Sequence, residues 1–186
     1  MNKRGLILLC VLASGCGFFG RSKNKFYSLE TMKPAAALAT MGGTPVALDG
    51  IELPPGVDRR EIVSKGEDHT FKVSGSSLWA SPLEEMVIHT LAFDLAGRLP
   101  EGMVVLPGQA RPSALRALYV TFEEFTVQPN GDFVLDARWV VTAPGAPEMV
   151  GRERVTLPGT GTEPAQIVAA MSNALGQLAD RIVGKL

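Results

Sequence analysis

Three hydrophobic patterns divide the chain. One is an unbroken apolar run near the start, one is a set of stretches alternating every second residue, and the third is a pair of stripes with helical spacing. The unbroken run covers residues 6–13, with Lys3 and Arg4 before it and Ala13-Ser14-Gly15-Cys16 at its end. A basic start, a short apolar stretch and small residues at the close describe an export signal. The uncharged run from Gly5 to Gly20 is sixteen residues and is broken by Ser14, Gly15, Gly17 and Gly20. A membrane-spanning helix needs about 20 apolar residues, so a cleaved signal is the better reading. A cysteine directly after small residues resembles a bacterial lipobox, whose thiol takes a diacylglyceryl group. The third position before the cysteine, most often Leu in lipoboxes, is Ala13 here, and Leu12 stands one place earlier. The chain then divides into a lipoprotein signal at residues 1–15, a lipidated tether at 16–25 and one domain at 26–186, with Cys16 as the attachment site. Arg21, Lys23 and Lys25 make the tether basic, which suits either a solvated linker or an anionic surface.

Beyond the tether, Phe26-Tyr27-Ser28-Leu29 reads as a short strand and residues 35–44 as a loop. Residues 45–53 form a strand in which Gly50 allows a register shift, and Pro54-Pro55-Gly56 stops it. Glu61-Ile62-Val63 begins another strand. A turn at 65–68 leads to a strand at 69–73, where Phe71 and Val73 alternate with Thr70 and Lys72. Ser81-Pro82-Leu83-Glu84 has the spacing of a capping box opening a helix. That helix runs to about Leu99, with Leu83, Met86, Val87, Thr90 and Leu91 facing inward. Residues 103–106 and 115–127 are strands. The second carries Leu118, Val120 and Phe122 on one parity and Phe125 and Val127 on the other, so a bulge near Glu123-Glu124 is expected. Pro129-Asn130-Gly131-Asp132 predicts a hairpin turn, and strands at 133–141 and 149–157 complete a meander. Thr162 caps a last helix striped by Ile167, Met171, Ala174, Leu175, Leu178 and Ile182. The fold class is α+β: a mostly antiparallel sheet with two helices packed on it.

Composition adds limits. Apolar residues make up 46% and charged residues 20%, as in an ordinary globular domain. Loss of Lys3 and Arg4 with the signal leaves 16 basic against 19 acidic side chains, a net −3. Nothing in that balance suggests a nucleic-acid surface. Cys10 lies inside the signal and Cys16 at the acyl site, so the domain has no thiol for a disulfide, a nucleophile or a metal.

Chemistry is sparse. The two histidines, His69 and His89, have no ligand spacing and no serine elbow to serve. Glu123 and Glu124 are adjacent on a strand and point to opposite faces. No catalytic site, metal or cofactor is expected. The polar group to watch is Asp58-Arg59-Arg60, presented after a stiff Pro54-Pro55-Gly56-Val57 turn. Its structural reading is a local cap and ion pair, and its functional reading is a docking edge.

Three motifs then come together in order: Phe26-Tyr27-Ser28-Leu29, Ile51-Glu52-Leu53-Pro54 running into Val57-Asp58-Arg59-Arg60-Glu61-Ile62-Val63, and Leu78-Trp79-Ala80-Ser81-Pro82-Leu83. This set resembles the PqiC-type (paraquat-inducible protein C) family of ABC-transport auxiliary lipoproteins, over nearly the whole domain. Gly56-Val57 and Leu78 depart from the family, which often has an aromatic-Leu pair and an Arg there. The resemblance implies a non-enzymatic lipoprotein held by its acyl chains at the outer membrane and facing the periplasm. It implies a partner with an MCE domain, the periplasmic conduit of a lipid transport system; the docking edge read from the stiff turn, at Pro54, Val57, Asp58, Arg59 and Arg60, is where that partner is expected. Gly17, where an Asp commonly retains lipoproteins in the inner membrane, favours the outer membrane. A homo-oligomer is compatible with this role. The competing reading is a lipoprotein chaperone for lipopolysaccharide or β-barrel assembly.

Overall fold

The computed structural model describes residues 23–34 and 43–186. The signal peptide, Cys16, the tether up to residue 22 and all but the end of the loop expected at 35–44 lie outside them. The strands are β1 (Lys25–Tyr27), β2 (Val46–Glu52), β3 (Glu61–Lys65), β4 (Phe71–Trp79), β5 (Val104–Val105), β6 (Arg116–Val127), β7 (Phe133–Thr142) and β8 (Met149–Leu157). The helices are α1 (Leu83–Ala96) and α2 (Pro164–Val183). The class is α+β, as expected, but the strands form two sheets rather than one. The larger has the order β5-β2-β6-β7-β8 and the smaller β1-β4-β3.

The longest ladders, β6 with β7 and β7 with β8, are the antiparallel meander read from the sequence. Strands far apart in the chain pair in parallel: β1 with β4, and β2 with both β5 and β6. The two anticipated irregularities are present. The β2–β6 register shifts between Leu48 and Gly50, and the β6–β7 register between Phe122 and Glu124. The second shift brings Phe122 and Phe125 onto one buried face, with ring centroids 5.1 Å apart. Phe133 meets Phe125 edge-on at 5.5 Å. Both helices pack on this sheet and on each other, and the buried stripe of α2 is the one predicted.

Two helix starts differ from expectation. Pro82 is the N-cap residue of α1, with ψ 132°, and Glu163 is that of α2. Ser81 and Thr162 therefore stand one position too early to reach the first free amides, and neither helix has a side-chain cap. Glu84 and Glu85 in the first turn of α1 complement its dipole instead. His69 also moves. It lies in the β3–β4 turn with φ 60°, next to Asp68 at 54°, so the strand starts at Phe71 and extends through the polar Ser74, Ser76 and Ser77. Two successive positive φ angles match the twist of a tight hairpin.

On the outer face of the meander, charges are paired. Arg152 donates to both oxygens of Asp136, at 2.9 and 3.0 Å, and Arg154 to one at 2.9 Å. The Arg152 bonds hold the Asp136 carboxyl below its ordinary range. Glu123 pairs with Arg138 and Arg152, while Glu124 reaches Lys65 on β3. The two glutamates thus serve different neighbours, although the register shift between Phe122 and Glu124 interrupts the strict alternation expected there.

Arg98, just past α1, is 3% exposed. Its Nε donates to Asp180 of α2 at 2.7 Å, and its Nη1 to the carbonyls of Asp94 and Met32 at 2.8 and 3.1 Å. Asp94 in turn accepts the Met32 N–H at 2.6 Å, and Ser172 accepts the Glu30 N–H at 3.1 Å. One guanidinium therefore joins both helices to the segment that follows β1. Gly176 makes room for that crossing: a Cβ there would lie 2.6 Å from the Met32 Cβ.

Two outcomes follow from this junction. Arg98→Ala strands the buried Asp94 carboxylate and is expected to cost about 3–5 kcal/mol in a denaturant melt. The second concerns pH. Burial pushes the Asp94 carboxyl from 3.8 up to about 6, against the opposing pull of the Met32 N–H and Arg98. The folded chain then holds a proton that the unfolded chain has released, so this group's contribution to stability falls as pH rises between those values. Asp94→Asn keeps an acceptor for Met32 and should flatten that part of the profile. Melts of both proteins across pH 3–7 measure the difference.

Candidate functional site

The three sequence motifs meet in space. Phe26 from β1, Asp58, Arg59 and Arg60 from the β2–β3 loop, and Trp79, Ala80, Ser81 and Pro82 from the β4–α1 junction line one cleft of about 470 Å³. The parallel register of β1 with β4 causes this, setting Phe26 beside Leu78 and Tyr27 beside Trp79. The Ala80 N–H donates to the Tyr27 carbonyl, and the Trp79 N–H to the Arg60 carbonyl, both at 2.9 Å. The end of β4 is thus held between the first motif and the second.

The loop is stiff for reasons visible in its residues. Prolines fix the φ of Pro54 and Pro55. Gly56 adopts φ +84°, and a Cβ there would lie 2.9 Å from the Phe71 ring. The Val57 N–H donates to the Pro54 carbonyl at 3.2 Å, and the Arg59 N–H to the Val57 carbonyl at 2.9 Å. Pro54 and Val57 are buried, Val57 at 2% exposure. They face inward and anchor the loop, which corrects their placement on a docking edge: an apolar side chain after a turn is drawn into the core. Asp58, Arg59 and Arg60 are exposed, as expected. Arg59 lies 3.6 Å from Glu61, and both are partly exposed. Arg60 makes no ion pair among the described residues.

Phe26 was missed as a site residue. It is 60% exposed, whereas Trp79 is 4% exposed. Trp79 is a core residue that also lines the cleft. The alternation of four residues gave no sign that β1 is an edge strand with an uncovered ring.

Other hollows carry less. A groove of about 600 Å³ between the β3–β4 and β6–β7 turns holds His69, Gln128 and Pro129 and no buried polar group. His89 lies on the exposed side of α1 and stacks on Phe93 at 4.5 Å. Neither histidine bonds to a hydroxyl nucleophile among the described residues. No group of three metal-ligating side chains occurs among them. No helix among them is long and apolar enough to cross a membrane.

This arrangement presents a rigid loop and an open aromatic cleft, the form of a recognition surface. Residues 27–183 match the model of the ABC-type transport auxiliary lipoprotein component, and the chain belongs to that family. The family is one of transport auxiliaries and not of enzymes. Among named relatives, the chain is 27% identical over 145 residues to the intermembrane transport lipoprotein PqiC of Escherichia coli K12, covering 77% of this chain and 76% of PqiC. The PqiC of Shigella flexneri matches with the same figures. The fold is similar to that of protein XCC0632 from Xanthomonas campestris, with a TM-score of 0.67 and 15% identity over 86% of this chain and 93% of that one. A crystal structure of an uncharacterized protein matches with a TM-score of 0.70 and 21% identity, over 88% and 98%.

Gly56→Ala tests whether the loop's rigidity is built as described. Strain at positive φ together with the Phe71 contact should destabilise the domain by more than about 1 kcal/mol. Hydrogen exchange at the Val57 and Arg59 amides should accelerate beyond the global change.

Proposed function

We propose that the protein is an outer-membrane lipoprotein that faces the periplasm and serves as an auxiliary component of an intermembrane lipid transport system. In this reading Cys16 carries the acyl anchor, and Asp58, Arg59 and Arg60 receive the periplasmic part of an MCE-domain protein. The observation that carries it is the family match across the domain, joined to the convergence of the family-like motifs on one cleft. The name of the Escherichia coli relative, an intermembrane transport lipoprotein, supports the transport role. Gly17 directly after Cys16 supports the outer membrane. The mechanism is mechanical: lipid chains hold the domain at the membrane, where more than one chain gives stable anchoring. The stiff loop then docks the end of the conduit with little conformational freedom to lose.

Two experiments test separate parts. Cys16→Ser should leave an unprocessed precursor that takes up no labelled palmitate; continued labelling would refute the anchor. For the partner, a photo-crosslinker at Arg60 in living cells should capture an MCE protein. Recovery of only a β-barrel assembly partner, with no MCE protein from any position on the domain, favours the chaperone reading.

A further inference from the structure

The cleft holds an unusual combination. Phe26, 60% exposed, and the buried Trp79 both line it, and Pro82 and Ala80 add apolar wall. Two guanidinium groups, of Arg59 and Arg60, line it too, against one lining carboxylate, Asp58. Lys25, next to Phe26, is exposed as well. Arg59 shares only the partly exposed Glu61 at 3.6 Å, and Arg60 has no ion pair among the described residues. An uncovered aromatic ring beside cations without strong partners is the make-up of a binding hot spot, where a bulky apolar side chain is desolvated at the centre and charges fix its register at the rim.

We infer that this cleft is the receptor for a short acidic segment of the partner protein, one that carries a bulky apolar side chain next to a carboxylate. The apolar side chain enters between the Phe26 ring and the Trp79–Pro82 wall. The carboxylate takes Arg59 and Arg60 and displaces Glu61 from Arg59. Concavity selects a peptide over a bilayer. A flat anionic surface cannot follow the cleft inward and would meet Asp58 and Glu61 as well as the arginines. This inference rests on the transport reading above and adds the chemistry of the docking segment.

The test uses the full chain in cells and the purified periplasmic part of an MCE protein from the same organism. Crosslinkers at Phe26 and Arg60 should capture one and the same acidic segment of that protein. The pair Arg59→Glu, Arg60→Glu should weaken binding at least tenfold, and so should Phe26→Ser, with circular dichroism unchanged; Phe26→Tyr should bind as the parent. Reversing the captured carboxylate to Lys should restore binding to the doubly reversed chain, which a merely unfolded variant would not allow. If the parent captures the MCE protein only from other positions and these variants bind normally, the cleft assignment is overturned while the transport reading stands. If no position captures an MCE protein, the transport reading itself falls. Capture at Phe26 of lipid alone, or of a second copy of this chain alone, overturns the peptide as occupant.

Discussion

The buried guanidinium of Arg98 is the constraint on which the arrangement of the domain depends. A charge with 3% exposure is costly unless every donor has a partner. Here the partners come from three places in the chain: Asp94 at the end of α1, Asp180 in α2, and the Met32 carbonyl. Shifting any of them would cost this buried guanidinium one of its partners. The helices are thereby fixed relative to each other, and the segment after β1 is fixed against both. That segment continues from β1, whose parallel ladder with β4 brings Phe26 to the cleft.

The cleft shows a division of labour within a few residues. Pro54 and Val57 point inward and spend their apolar surface on the core, while Asp58, Arg59 and Arg60 point outward. Gly56 permits the switch because it alone can take the backbone through +84° under the Phe71 ring. A recognition loop built this way has its shape set by the core rather than by whatever binds it. It keeps an open ring at Phe26 at the cost of some solvated apolar area, an exposure that the fold itself does not explain.

Much of this was legible in the sequence because the relevant forces are local. The stripes of Leu83, Met86 and Val87 and of Ile167, Met171 and Leu175, the Asn130-Gly131 hairpin, and the bulges at Gly50 and Glu123 all follow from periodicity and turn chemistry. What was hidden depends on residues distant in the chain. Parallel pairing of β1 with β4 leaves no local signature, so neither the second sheet nor the meeting of Phe26 with Arg60 and Trp79 could be read. Asp94, Arg98 and Asp180 look like surface charges until the two helices cross. Ser81 and Thr162 have the right identity for caps, but the extended ψ of Pro82 and Glu163 delays each helix by one residue. Even so, three stretches chosen as motifs proved to be the three walls of one cleft.

The way β1 is attached has a mechanical meaning. Its three residues run parallel to β4, and the chain enters at their free end. Tension applied at Lys23 along the strand axis would load those ladder bonds in shear, all at once, instead of peeling them one by one. Behind them stand the Glu30–Ser172 and Met32–Asp94 bonds and the Arg98 junction. A domain moored from its N-terminal side would pass such a pull directly into the helix pair. The same strand that supplies a wall of the cleft would then also be the first structural link of such a mooring.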